Sequence, residues 1–134
     1  MERLKVGETR EVVVRAVEYW NRSGIAVQPG ERYAMRVTRV EDWVDFTLTA
    51  TLDGLVQVPW YMDGWLPRAL RCPEAEWYSL VGTVGDRLDR CFTVGSQAAY
   101  EARHEGELRF FANDAPFASI NNRGTLILAI ERTA

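Results

Sequence analysis

Trp43-Val44-Asp45-Phe46-Thr47-Leu48-Thr49-Ala50-Thr51-Leu52 sets Val44, Phe46, Leu48, Ala50 and Leu52 on one parity and Asp45, Thr47, Thr49 and Thr51 on the other. Successive side chains of a β-strand point to opposite faces, so this two-residue period describes a strand with one buried and one wet face. Its β-branched and aromatic residues are the types that fit a pleated surface. Working outward, Leu108, Phe110 and Ala112 alternate with Glu107, Arg109 and Phe111, and Leu126, Leu128 and Ile130 alternate with Thr125, Ile127, Ala129 and Glu131. Weaker strand patterns cover 11–19, 32–40, 77–82 and 90–94.

Turn residues separate these runs: Pro29-Gly30, Asp53-Gly54, Asp63-Gly64, Gly85-Asp86 and Arg123-Gly124. No stretch carries a long helical stripe, and 97–105 offers at most a turn of helix. Strands joined by turns, without crossover helices, predict an all-β fold, an antiparallel β-sandwich or jelly roll spanning 1–134 as a single domain. One long irregular stretch, 55–75, holds three prolines and the aromatics Trp60, Tyr61 and Trp65. Long connections in compact domains are commonly functional.

Composition narrows the function classes. A chain of 134 residues with 47% hydrophobic and 26% charged residues can build its own core. Its net charge of −3, with arginines dispersed among acids, disfavours nucleic acid as a partner. No apolar run reaches the ~20 residues a membrane span needs. The start Met1-Glu2-Arg3-Leu4-Lys5 lacks the apolar core of a signal peptide, so the default expectation is a cytoplasmic protein, with export by another route left open. Cys72 and Cys91 match no metal spacing or disulfide framework and read as two small half-buried hydrophobes, with a bridge between them as the alternative.

Catalysis finds little footing. The single histidine, His104, lies in the polar run Glu101-Ala102-Arg103-His104-Glu105 and reads as a surface residue. Neither cysteine has a histidine neighbour. Glu41, Asp42 and Asp45 cluster in sequence, but a glycosidase pair must face across a cleft at roughly 5–9.5 Å. The expectation is a protein that performs no chemistry.

Hard oxygen ligands concentrate in one segment, Asn113-Asp114-Ala115-Pro116-Phe117-Ala118-Ser119-Ile120-Asn121-Asn122-Arg123-Gly124. Asp114 follows Leu108, Phe110 and Ala112 in parity, toward the mouth of the sandwich. Adjacent Asn121 and Asn122 converge only through a turn, which Asn tolerates in left-handed geometry and Gly124 permits. One carboxylate, two amide oxygens and nearby carbonyls suit calcium, which takes 6–8 oxygens. With one carboxylate, the intrinsic affinity is expected on the order of 10⁻⁴ M or weaker. The alternative is an ordinary hairpin turn, which Asn-Asn-Arg-Gly also makes well.

The run Gly106-Glu107-Leu108-Arg109-Phe110-Phe111-Ala112-Asn113-Asp114, then Pro116, Asn121-Asn122-Arg123-Gly124 and Leu126, resembles the C-terminal part of the bacterial calcium-dependent galactophilic (PA-I) lectins. Trp20-Asn21, Gly24-Ile25, Pro29-Gly30 and Tyr33 resemble the first strands of that family, and 77–82 with Phe92-Thr93-Val94-Gly95 its middle. Only the block 106–126 is specific. The resemblance implies a galactose-binding-domain-like sandwich and a calcium ion that takes two hydroxyls of a galactose-type sugar directly. By position, it makes Asp114, Asn121 and Asn122 the side-chain ligands of metal and sugar, with carbonyls from Ala118 and Phe46. It also implies self-association, since lectins of this type assemble. Two departures stand out. Arg123 replaces a small residue, and 53–75 does not match the family's sugar-contacting loop, so Trp60, Tyr61 and Trp65 enter only as candidate sugar-stacking aromatics. The competing expectation is a scaffold or oligomerising module that kept the fold and lost metal and sugar.

Overall fold

The computed structural model describes residues 1–45, 48–51, 54–55, 71–75, 78–113 and 122–134. In chain order the strands are β1 (Thr9–Arg15), β2 (Asn21–Val27), β3 (Arg32–Asp45), β4 (Leu48–Thr51), β5 (Gly54–Leu55), β6 (Leu80–Val84), β7 (Phe92–Thr93), β8 (Gln97–Glu101), β9 (Gly106–Ala112) and β10 (Asn122–Arg132). They form a six-stranded sheet ordered β1-β10-β3-β4-β5, with β8 also paired to β3, and a four-stranded sheet ordered β2-β9-β6-β7. Every pairing between these strands is antiparallel. The expected all-β antiparallel sandwich is the observed architecture. Among the described residues no helix is long and apolar enough to cross a membrane.

The alternation seen in sequence is what joins the sheets. Val12 and Val14, Tyr33 and Met35, and Leu126, Leu128 and Ile130 turn inward from the larger sheet; Ile25, Val27, Leu80, Val84, Leu108 and Phe110 meet them from the smaller one. Fully burying each large apolar side chain stabilises by about 1.5–3 kcal/mol, so this layer dominates the stability of the sandwich. Buried Asn21 stitches the sheets at one edge. Its Oδ1 accepts the Arg15 N–H (2.8 Å), and its Nδ2 donates to the carbonyls of Arg15 (3.0 Å) and Phe110 (3.1 Å).

β6 is buried along its whole length, and β9 buries Phe111 as well as Phe110. The reason is a second, smaller layer: Cys72 and Ala75 pack with Val81 and Phe111 on the outer face of the four-stranded sheet, beside Trp20, Leu88 and Cys91. Arg71 inserts there between the rings of Tyr19 (3.6 Å) and Phe111 (3.7 Å) and donates to the Tyr19 carbonyl.

Several expectations are corrected. The run from Trp43 to Leu52 is not one strand: β3 pairs antiparallel with β4, Asp45 opposite Leu48, and both arms keep the same alternation, which hides the reversal. Residues 97–101 form β8 rather than a helical turn, because pairing with 32–36 of β3 overrides their local helix preference. Arg123-Gly124 is not a hairpin turn but a bulge inside β10. Gly124 has φ 128°, and a Cβ there would strike the Asp42 carbonyl and lie 2.8 Å from the Trp43 Cα. Finally, Cys72 and Cys91 are joined as a disulfide.

Candidate functional site

The long strands β3 and β10 run side by side and end together. Asn122 lies opposite Asp45, and Arg123 opposite Val44, in their ladder. The chain position after Asp45 is Phe46, the expected carbonyl donor, so the register sets the backbone just before Phe46 against the candidate ligand Asn122. β9 ends at Ala112, and Asn113 carries the chain out of it toward the oxygen-rich segment. The candidates Asp114, Ala118, Asn121, Phe46, Trp60, Tyr61 and Trp65 lie outside the described residues. Asn122 is described only as the first residue of β10.

What is described is the frame around that segment, and sequence reasoning missed its principal members. Asn113 is fully buried. Its Oδ1 accepts the Cys72 N–H (3.0 Å), and its Nδ2 donates to the carbonyls of Cys72 (2.9 Å) and Ala75 (3.2 Å). Its backbone N–H donates to the Ser79 carbonyl (2.9 Å), and its own carbonyl accepts from the Tyr78 N–H (2.6 Å). The Asn of the Asn-Asp pair is therefore a structural bracket: its amide satisfies the 71–75 segment, which the disulfide ties to Cys91.

Tyr78 is the second member. It is fully buried and adopts φ 62°, a conformation that costs a bulky residue of order 1–3 kcal/mol and persists only where the surroundings enforce it. Its hydroxyl donates to the Arg123 carbonyl (3.2 Å) and accepts the Arg123 N–H (3.3 Å). Its carbonyl accepts from Trp43 Nε1 (3.0 Å), whose ring packs against it at 5.4 Å. The Arg123 side chain is exposed, so the cation that departs from the lectin pattern faces solvent rather than the core.

The side-chain types expected as ligands, the carboxylate of Asp114 and the amides of Asn121 and Asn122, carry hard oxygen atoms, the donor chemistry that calcium takes. Among the described residues, one group of acids, cysteines or histidine brings its ligand atoms within 4.8 Å of one another, namely Cys72, Glu74 and Cys91. Its sulfurs are spent on the disulfide, so it is not a thiolate site. His104 is exposed, as expected of a surface residue.

No family model and no curated protein matches the chain. Among solved structures it is similar to the EclA N-terminal domain, a PllA-like lectin, with a TM-score of 0.59, 16% identity, and coverage of 91% of this chain and 94% of that one. At that identity the likeness is one of fold: the chain is an all-β sandwich with the architecture of a lectin domain.

Proposed function

We propose that this protein is a non-catalytic, calcium-assisted carbohydrate-binding domain of the PA-I lectin type, with the site in the 114–122 segment. The observation that carries this reading is the register of β10 on β3. It sets Asn122 against Asp45, the residue before Phe46 in sequence, which supports a site drawing donors from two distant segments. Fold likeness to a lectin domain supports carbohydrate as the ligand class, and the resemblance of 106–126 supports calcium and a galactose-type sugar. Asp114 provides the charge, Asn121 and Asn122 the amide oxygens, and Ala118 and Phe46 the carbonyls. Calcium, when bound, supplies open coordination positions for two vicinal sugar hydroxyls.

A second reading, a scaffold or self-associating module that lost its ligand, draws on Arg123, a cation one residue from Asn122. The disulfide adds a proposal on location, since such bonds persist mainly in oxidising compartments: the protein works in one.

The test is calorimetric titration of calcium into chelator-treated protein, repeated with Asp114→Ala. Saturable one-site binding near 10⁻⁴ M, abolished by the substitution, is the expected result. No heat up to millimolar calcium, with an unchanged melting temperature, overturns the calcium reading in favour of the scaffold.

A further inference from the structure

We infer that Tyr78 is the positioning residue of this site: one buried side chain and its own backbone fix both feet of the 114–121 connection. The inference rests on the calcium reading above and adds a residue that neither motif nor resemblance assigns.

Three chain ends border the oxygen-rich segment: Asn113 after β9, Arg123 at the start of β10, and Trp43 near the end of β3. Tyr78 bonds to each. Its N–H donates to the Asn113 carbonyl (2.6 Å), its carbonyl accepts from Trp43 Nε1 (3.0 Å), and its hydroxyl both donates to and accepts from the Arg123 backbone (3.2 and 3.3 Å). The φ of 62° turns the Tyr78 backbone while its ring stays in the core. Unfavourable backbone held by a buried ring, at the border of a candidate site, is the kind of over-determined geometry that preorganises a site.

The consequence for a cation is direct. In sequence Asp114 follows one foot and Asn121-Asn122 precede the other, so a frame that holds the feet limits how far apart the proposed ligands can lie. A site whose donors are already spaced loses less conformational freedom on binding. Arg123 is the sensitive foot, because its backbone lies beside the Gly124 bulge, where the β10 register on β3 shifts.

Tyr78→Phe keeps the ring in the core and deletes only the hydroxyl. Tyr33→Phe is the matched control: another fully buried tyrosine whose hydroxyl donates, here to Glu31 Oε1 (2.9 Å), near the start of β3. With the folded proteins compared well below their melting temperatures, Tyr78→Phe is expected to weaken calcium binding about tenfold. Exchange of the Arg123 amide proton in calcium-free protein is expected to speed up by a similar factor. Tyr33→Phe should change neither. An unaltered calcium affinity in Tyr78→Phe overturns the positioning role, and so does an equal loss in the Tyr33→Phe control. No uptake by the unmodified protein instead overturns the calcium reading itself, a failure seen before either variant is made.

Discussion

The two ends of the sandwich are held by different chemistry. Where β3 begins and β10 ends, the hub is a charge. The buried Glu31 carboxylate takes Arg3 (2.6 Å) and Arg132 (2.9 Å) on one oxygen, and Tyr33 (2.9 Å) and the Gln28 N–H (2.7 Å) on the other. Where β3 ends and β10 begins, the hubs are neutral: Asn113 and Tyr78 work through amide, hydroxyl and backbone. A charged hub locks the N- and C-terminal segments together but responds to protonation. A neutral hub offers no group that gains a proton in the acid range, although the buried Arg71 stacks nearby. The difference teaches that the Glu31 end depends on a charge for its closure and the Asn113 end does not.

The largest effect should come from the covalent part of the neutral end. Cys72 and Cys91 are 19 residues apart in sequence, and a loop of that size implies about 3 kcal/mol of stabilisation on the chain-entropy model. Replacing both by Ala is expected to lower the unfolding free energy from urea titration by that amount, with weaker calcium binding because Asn113 bonds to the 71–75 segment. A loss under about 1 kcal/mol would show that the three Asn113 side-chain bonds and the stacked Arg71 hold the segment unaided.

Next comes Glu31→Ala. Removing one partner of a fully buried ion pair costs about 3–5 kcal/mol. Here the stranded arginines keep some water, with side-chain exposures of 56% for Arg3 and 20% for Arg132, so about 2–3 kcal/mol is expected. Thermal melts measure it, and calcium affinity should not move. A calcium affinity that falls along with stability would break the division between the two ends.

Much of this fold can be read from the sequence, and the exceptions are instructive. β10 shows clean alternation because its inward residues Leu126, Leu128 and Ile130 are buried and their neighbours are not, whereas β9 alternates only in part, with Glu107 and Phe111 of its outer face buried as well. β2 shows none: its register on β9 shifts between Arg22 and Ala26, and Gly24 sits at φ 74° within it, so only the resemblance of Trp20-Asn21 and Gly24-Ile25 marks it. β8 reads as helix because Gln97, Ala98, Ala99 and Glu101 favour helix locally, while their pairing with β3 is non-local. The disulfide is invisible because two cysteines in a chain of this length define no framework. For the candidate site, the oxygen-bearing residue types are legible in the sequence, but the frame around them is not. Asn113 looks like a routine loop entry until its burial is known, and nothing local signals that Tyr78 takes a left-handed conformation.

The smallest expected effect is the acid response, and it separates the ends most cleanly. For Glu31, burial pushes the carboxyl upward, but Arg3, the Gln28 N–H, the Tyr33 hydroxyl and Arg132 outweigh it and hold the group below its ordinary 4.5. Glu107 behaves alike: burial raises it, while Arg22, the Gly24 N–H and Arg109 bring it lower. A carboxyl held low in the folded protein contributes stability that is fully present above its unfolded value and lost as pH falls through the folded one. Melting temperature should therefore hold near neutrality and decline below about pH 4.5. Glu31→Gln should be less stable at neutral pH yet decline less steeply, so its curve approaches that of the unmodified protein in acid. Parallel curves would mean that Glu31 ionisation is not linked to folding and that the charged hub is only a steric one. The Asn113 amide has no proton to gain in this range. Its brace at the other end should thus outlast the Glu31 hub in acid, and protection of the Cys72 amide, which donates to the Asn113 Oδ1, should persist after the Gln28 amide at the Glu31 end has begun to exchange.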